Sequence, residues 1–252
     1  MRAIRDTWLI YSRSMILTLR QPVWIIMGLF QPILYLVFLG PLLDASVSAA
    51  GAGVNAYNWF IPGLLIMTAM FGGAFVGFGL IAELRAGVLE RMRVTPMSRV
   101  AMLFGRSLRD VTILLAQAAL MMVLAVPFGL SIDLPRALAT LGLLALIGLV
   151  FAPLSYAAAL ALKSEDAFAP IVQAVALPML LLSGIMLPLE LAPDWLQFVS
   201  SLNPLTHAAD AARALFNAGW GDPAVPFGIG LSAVLAVIAV WVASRSFSRT
   251  NA

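Results

Sequence analysis

Cysteine is absent from the 252 residues and charge is scarce, since only 11% of the residues are Asp, Glu, Lys or Arg whereas 62% are hydrophobic. Without cysteine the chain has no disulfide framework, no thiolate metal site and no cysteine nucleophile. Soluble domains carry about 25% charged residues, so this chain has too little charge to cover its own exterior in water. The composition predicts an integral membrane protein.

Histidine and lysine each occur once, as His207 and Lys163. The phosphate-binding loop of P-loop ATPases needs Gly, four residues and then Gly-Lys-Ser/Thr, but Ala161-Leu162 precede Lys163. The sequence also has no His-Glu-x-x-His pair and no Gly-x-Ser-x-Gly elbow. We therefore predict no catalytic residue, no metal site and no cofactor held by this chain.

Long charge-free intervals recur six times along the chain. A hydrocarbon core about 30 Å thick needs roughly 20 helical residues, and each interval is long enough. The intervals predict an all-α integral membrane protein with six transmembrane helices: Pro22–Leu42, Phe60–Ile81, Val111–Leu130, Ala137–Leu162, Phe168–Leu187 and Pro226–Ser244. These ranges contain no ionisable residue, which argues against a proton-coupled antiporter.

The basic residues predict how the chain is oriented, because Lys and Arg are retained on the cytoplasmic side of a membrane. If the N-terminus is cytoplasmic, 13 of the 15 basic residues fall in cytoplasmic segments, and only Arg136 and Arg213 fall outside. Both termini are therefore expected in the cytoplasm.

Two segments outside the spans are predicted to be amphipathic helices at the cytoplasmic surface. Residues 1–20 repeat apolar side chains at helical spacing between arginines, which is typical of an interfacial helix. Residues 83–96 carry one apolar stripe and a Glu90–Arg93 pair before Thr95-Pro96 stops the helix. The alternative for residues 83–96 is a solvated positive loop.

The connection before the last span, residues 188–225, is predicted to hold two short helices at the external face. The first starts after Pro193 and carries Trp195 on its apolar side, and the second starts after Asn203-Pro204 with an alanine-rich apolar side. Both are too short or too polar to span. We expect them to lie at, or dip into, the external leaflet and to cap the bundle.

Uncharged polar side chains mark the predicted spans. They are Gln31, Tyr35, Gln117, Ser155, Tyr156 and Gln173. They are candidates for a path for an amphiphilic substrate; the alternative is hydrogen bonding between helices, worth about 0.6 kcal/mol each on average. On the second span, Gly73-x-x-x-Gly77 forms a small-residue stripe that allows another helix to approach closely.

Five stretches carry a family resemblance: Arg20-Gln-Pro-Val-Trp24, Gln31-Pro32, Glu83–Pro96, Leu187-Pro-Leu-Glu-Leu-Ala-Pro-Asp-Trp-Leu196 and Asn203-Pro204. Through them the chain resembles the ABC-2 type permeases, and most of all their daunorubicin/multidrug-resistance branch, over essentially its whole length. The resemblance implies a single transmembrane domain over 1–252 with the type V exporter-like architecture. Its parts would be an interfacial helix at 1–20, a coupling helix at 83–96 and an external re-entrant region at 188–225.

The resemblance also implies a function, partners and site residues. The chain would be the permease subunit of an ATP-binding-cassette exporter in the bacterial cytoplasmic (inner) membrane, active in multidrug efflux and antibiotic resistance. Its partners would be membrane lipid, a second copy of itself or a related permease, and a cytoplasmic ATPase that binds ATP and Mg; nucleic acid is not expected. The ATPase-coupling residues would be Glu83, Arg85, Gly87, Leu89, Glu90, Arg91, Thr95 and Pro96, and the external gate Pro188, Trp195, Asn203 and Pro204. Many relatives have an acid where this sequence has Arg85, which leaves the polarity of the ATPase groove open.

Other functions remain as alternatives. Some ABC-2 permeases export polysaccharides or lipid-linked glycans through aromatic-lined channels, whereas the aromatic residues of this chain are spread along it. A membrane-embedded enzyme would use His207, Asp210 and Asn203 at the external face. A passive channel would need no ATPase and would give residues 83–96 no purpose.

Overall fold

The computed structural model describes residues 2–49, 56–87, 99–186, 189 and 192–249. In these ranges the chain forms helices joined by short turns and has no strand, so the predicted all-α fold is confirmed. The helices are α1 (Arg2–Leu19), α2 (Val23–Leu34), α3 (Gly40–Ala49), α4 (Ala56–Ala74), α5 (Gly77–Arg85), α6 (Arg99–Ala125), α7 (Leu134–Leu162), α8 (Glu165–Leu181), α9 (Asp194–Ser201), α10 (Pro204–Asn217) and α11 (Ala224–Arg249). A π-helical turn, Tyr35–Leu39, joins α2 to α3, and a 3-10 turn, Val126–Phe128, follows α6.

Five helical stretches in the described residues are long and apolar enough to cross a membrane. They are Ile25–Ala45, Ala56–Arg85, Val100–Phe128, Leu134–Leu162 and Ala224–Phe247, and each overlaps one predicted span. The remaining predicted span, Phe168–Leu187, corresponds to α8, which has 17 residues. The count of six spans therefore stays a prediction.

The third spanning helix starts earlier than the charge-free interval indicates. Helix α6 begins at Arg99 rather than near Val111. Its first half contains Arg106 and Asp110, which are only 5% and 9% exposed. The predicted range Val111–Leu130 contains no charged residue, but the helix that holds it extends further and buries charges in its first half, which is possible when those charges are paired.

Residues 2–19 form the helix predicted at the N-terminus, and it packs on α6. Ile10 is 3% exposed, and a Cβ atom added to Gly105 would lie 2.8 Å from the Ile10 Cβ atom, so the two helices cross in close contact. Ile4 and Trp8 stay exposed on another face. A free apolar face beside arginines suits the interfacial position, which stays a prediction.

Helix α10 lies in the main core of the bundle. Its apolar face, including Leu205, Ala208 and Ala212, is buried against Phe60 and Leu64 of α4. The predicted apolar side is thus confirmed, but the helix is part of the core rather than a cap over it. Small side chains explain the difference, because they let helices approach closely.

Helix α9 turns its apolar side outward. Trp195, Phe198 and Leu202 are exposed, whereas Ser200 is 1% exposed and its Oγ atom donates a hydrogen bond of 2.6 Å to the Leu182 carbonyl oxygen. An apolar face that points away from the protein suits contact with a lipid leaflet. The depth of α9 and α10 in the membrane stays a prediction.

The second spanning stretch is interrupted between α4 and α5, and α7 covers the break. The Ser155 Oγ atom donates to the Ala74 carbonyl oxygen at 2.6 Å and accepts from the Gly77 N–H at 2.9 Å. A Cβ atom added to Gly73 would lie 2.8 Å from the Phe151 Cβ atom, which confirms the close approach predicted from the small-residue stripe. Ser155 thus replaces backbone hydrogen bonds that the break removes.

We expect Ser155→Ala to lower the free energy of unfolding by about 2 kcal/mol, because two buried backbone groups would lose their partner. The midpoint of thermal unfolding in detergent measures this loss. Ser244→Ala is the matched control, since the Ser244 Oγ atom bonds only the Val240 carbonyl oxygen of its own helix. Equal losses in both variants would show that Ser155 has no special role at the break.

Candidate functional site

Charged residues gather at one end of the bundle, which we call the arginine-rich end. Here α1, α5, α7 and α11 finish and α6 and α8 begin. A buried apolar cluster joins five of these helices at this end through Leu80, Leu103, Leu160, Phe168 and Phe247. The two described flanks of residues 88–98 therefore lie on a packed base.

Two ion pairs hold the end of α5, which precedes residues 88–98. The Arg106 Nη2 atom of α6 donates to the Glu83 Oε2 atom, with the Arg106 side chain 6% exposed and the Glu83 side chain 40% exposed. The Arg85 Nη1 atom lies 3.2 Å from the Glu165 Oε1 atom of α8, and both side chains are exposed. Breaking the half-buried Glu83–Arg106 pair should cost more stability than breaking the exposed pair, because water compensates exposed charges that lose their partner.

A second polar network links α1, α6 and α7 one turn further along α6. The Arg109 guanidinium donates to the Thr18 Oγ1 atom at 3.0 Å and to the Tyr156 hydroxyl at 3.3 Å. Its Nε atom lies 3.1 Å from the Asp110 Oδ1 atom, and the Tyr156 hydroxyl donates to the Asp110 Oδ2 atom. Tyr156 is 1% exposed.

The Glu83–Arg106 pair and the Arg109–Asp110 network balance two arginines against two carboxylates. Balanced charge is what allows ions to remain in a spanning helix. Together they fix the relative positions of α1, α5, α6 and α7 at the arginine-rich end.

The structure describes only the first three of the predicted coupling residues. Glu83 and Arg85 lie on α5, and Gly87 follows it in a left-handed conformation with φ +66°, a position that favours glycine at a helix end. The described part of the predicted helix 83–96 therefore belongs to α5 and ends at Arg85, two residues before Gly87. Leu89, Glu90, Arg91, Thr95 and Pro96 lie outside the described residues, and their coupling role stays a prediction.

The six candidate path residues lie in separate places. Ser155 covers the break in the second stretch, and Tyr156 belongs to the Asp110 network. The Gln117 Nε2 atom donates to the Ile25 carbonyl oxygen at 2.9 Å, while the Gln31 Nε2 atom donates to the Tyr35 hydroxyl at 3.1 Å. Gln173 is exposed on α8. Ser155, Tyr156 and Gln117 thus join helices. A substrate path through the six residues stays a prediction.

At the opposite end, three of the four predicted gate residues are described. Trp195 is exposed, and Pro204 occupies the first turn of α10. The Asn203 Oδ1 atom accepts the Leu205 N–H at 3.1 Å, and its Nδ2 atom donates to the Met179 carbonyl oxygen at 2.7 Å. Pro188 lies outside the described residues. Asn203 therefore caps α10 and ties it to α8.

Arg213 is a structural residue of this end that sequence reasoning did not single out as functional. Its Nη2 atom donates to the Gly184 carbonyl oxygen at 2.6 Å, and its guanidinium carbon lies 4.1 Å from the centre of the Trp59 ring. Its positive charge could have drawn attention to it, because Arg213 is one of only two basic residues on the predicted external side. These contacts join α4, α10 and the turn after α8.

His207 of α10 contacts both neighbouring helices, α9 and α11. Its Nε2 atom lies 2.8 Å from the Ser201 carbonyl oxygen, and its ring packs edge to face on Phe227 with centroids 4.9 Å apart. Both contacts hold α10 to its neighbours α9 and α11.

These features define a class: an all-α, multi-pass membrane protein with paired charges buried at one end of its spanning helices. The chain belongs to the ABC-2 type transporter family, whose model matches residues 5–217. It is a transport permease of that family.

Named relatives resemble the chain along most of its length. It is 29% identical to a transport permease named ycf38 from Cyanophora paradoxa, over 85% of this chain and 75% of that protein. It is 26% identical to ycf38 of Porphyra purpurea, over 96% of this chain and 88% of that protein. It is also 26% identical to the daunorubicin resistance ABC transporter permease protein DrrB1 of Streptomyces coeruleorubidus, over 95% of this chain and 85% of that protein.

Proposed function

We propose that this chain is the permease subunit of an ATP-binding-cassette exporter and that a separate ATPase subunit drives it. The observation that carries the proposal is the Glu83–Arg106 ion pair, which joins the two helices that flank residues 88–98 in the sequence. A force applied to the segment would move α5 and α6 as one body. The chain has no phosphate-binding loop in its sequence, so the force would come from a partner.

The proposed substrate is a hydrophobic or amphiphilic, drug-like molecule. The daunorubicin resistance permease DrrB1 supports this class, because it is similar to the chain over most of both proteins. Beyond the arginine-rich end, the spanning helices carry mainly apolar and uncharged polar side chains, which suit such a molecule. The permease would alternate between a state open to the cytoplasm and a state open to the exterior. The difference in the substrate's affinity for these two states would set the direction of transport.

The working unit proposed is two permease chains with two ATPases in the bacterial cytoplasmic membrane. The basic residues support an orientation with both termini in the cytoplasm, which makes the arginine-rich end cytoplasmic. The coupling segment would then face the ATPase, and the end formed by α9 and α10 would face outward.

The test is affinity capture of the tagged full chain from its native membrane. We expect a P-loop ATPase to be captured with the wild type and to be lost from the double charge reversal Glu90→Lys, Arg91→Glu. Asp194→Lys, an exposed site at the opposite end, is the matched control and should retain the ATPase.

Efflux of a daunorubicin-type drug from intact cells provides the functional measurement. We expect Glu90→Lys alone to abolish ATP-driven efflux at normal membrane abundance, because it reverses the charge presented to the ATPase groove. His207→Ala should retain most of the efflux, since the proposal gives His207 no role in transport chemistry. Normal efflux by Glu90→Lys, or its loss in His207→Ala at normal abundance, would count against the proposal.

A further inference from the structure

We propose that Arg109 is a positioning residue that makes α1 move with α6 and α7 during the transport cycle. The inference rests on the proposed function, because it concerns how a displacement applied by the ATPase would spread through the permease. It gives a role in coupling to Arg109, which lies outside residues 83–96, and makes α1 one of the helices that move.

Arg109 donates directional hydrogen bonds to two hydroxyl groups, one on α1 and one on α7. The Thr18 hydroxyl donates to the Ser14 carbonyl oxygen at 2.9 Å, so its lone pairs are free to accept the Arg109 Nη1 hydrogen bond of 3.0 Å. The Tyr156 hydroxyl donates to Asp110 and likewise accepts from the Arg109 Nη2 atom. Each acceptor is thus oriented by its own donor bond.

A guanidinium is suited to this arrangement because its donors lie in one rigid plane. Arg109 donates from one terminal nitrogen to α1 and from the other to α7, and its Nε atom pairs with Asp110 by charge without a hydrogen bond. A lysine would keep the charge but would present a single point donor, which cannot fix both directions at once. The arginine side chain is 24% exposed, so water replaces these bonds only in part.

Further back along α1, the Ile10 side chain packs against Gly105 of α6. Such packing holds two helices together but resists sliding along the axis weakly, since dispersion contacts lack direction. Thr18 lies in the last turn of α1, so a directional bond there controls the angle at which α1 enters the first spanning stretch.

Arg106 and Arg109 lie three residues apart and therefore on neighbouring positions of one face of α6. Arg106 receives the displacement from α5 through Glu83, and Arg109 passes it to α1 and α7. Helix α6 would thus link a movement at residues 88–98 to α1, α5 and α7.

The experiment measures substrate transported per ATP hydrolysed in proteoliposomes that contain the complex with its ATPase. We expect Arg109→Lys and Thr18→Val to lower this ratio by about tenfold, as a coupling free energy of ordinary size would. Thr112→Val is the matched control, because the Thr112 hydroxyl bonds only the Leu108 carbonyl oxygen of its own helix. A merely structural role would lower the amount of complex without changing the ratio.

A second measurement follows α1 directly and does not need the ATPase. Because the chain has no cysteine, spin labels can be placed at Arg13→Cys on α1 and Ala161→Cys on α7 without removing any native thiol. We expect Arg109→Lys to broaden the distribution of distances between the labels, and Thr112→Val to leave it unchanged.

The outcomes separate the two hypotheses. A wild-type complex without ATP-driven transport overturns the proposed function. If the wild-type complex transports substrate and the Arg109→Lys variant transports the same amount per ATP hydrolysed, the role of Arg109 is overturned. An unchanged distribution of label distances in that variant also overturns it.

Discussion

Gly228→Ala is expected to lower the free energy of unfolding by about 3 kcal/mol, the upper part of the range for overpacking a core. A Cβ atom added to Gly228 of α11 would lie 2.5 Å from the His207 carbonyl oxygen and 2.6 Å from the Ala211 Cβ atom of α10. Both atoms are fixed by the backbone of α10, so neither can rotate away. The two helices would have to separate, and α10 would leave the core.

Gly230→Ala, two residues along the same helix, is the matched control. A Cβ atom there meets no atom within 4 Å. Alanine also favours a helix over glycine by about 0.8–1.0 kcal/mol, so this variant should be unchanged or more stable. Thermal unfolding of the two purified variants in detergent measures the difference. If both variants melt at the same temperature, the close crossing of α10 and α11 is not as described.

Arg106→Gln is expected to have the second large effect, on both stability and transport. The substitution leaves Glu83 without its partner and removes a positive charge next to Asp110, which should lower the free energy of unfolding by about 2 kcal/mol. The value stays below that of a fully buried pair because Glu83 is partly exposed. Since α5 and α6 would no longer move together, drug efflux should be lost even at normal membrane abundance.

The double variant Glu83→Gln, Arg106→Gln distinguishes the pair from its separate members. Two neutral amides leave no unpaired charge, so the stability loss should be smaller than the sum for Glu83→Gln and Arg106→Gln alone. Transport should stay low, because amides give no ionic link between α5 and α6. Additive stability losses would contradict direct pairing, and full efflux in the double variant would contradict its role in coupling.

Much of the architecture follows from the distribution of charge along the sequence. Stretches without charge can only be stable in hydrocarbon as helices, because each backbone group must find its partner within the segment. This reasoning located α2, α4, α7 and α11, and the helical spacing of apolar residues between arginines located α1. It also identified the apolar side of α10 from the spacing of its alanines and leucines.

The same reasoning could not place the start of α6. A charge ends a helix at the edge of a span only when it has no partner, and the partners here come from elsewhere in the chain. Glu83 is on α5 and Tyr156 is on α7, both far from Arg106 and Asp110 in sequence. Hydrogen-bond partners so distant cannot be read from local spacing.

Composition and charge spacing by themselves determined that the chain is an all-α membrane protein and where most of its helices run, because transfer into lipid is decided segment by segment. Only the tertiary structure decided which polar residues join helices and which stay exposed. It placed Ser155 at a helix break, turned Gln173 outward and made Arg109 the contact between α1 and α7. The physical reason is that hydrogen bonds and buried ion pairs depend on distances between helices, which exist only once the helices have packed.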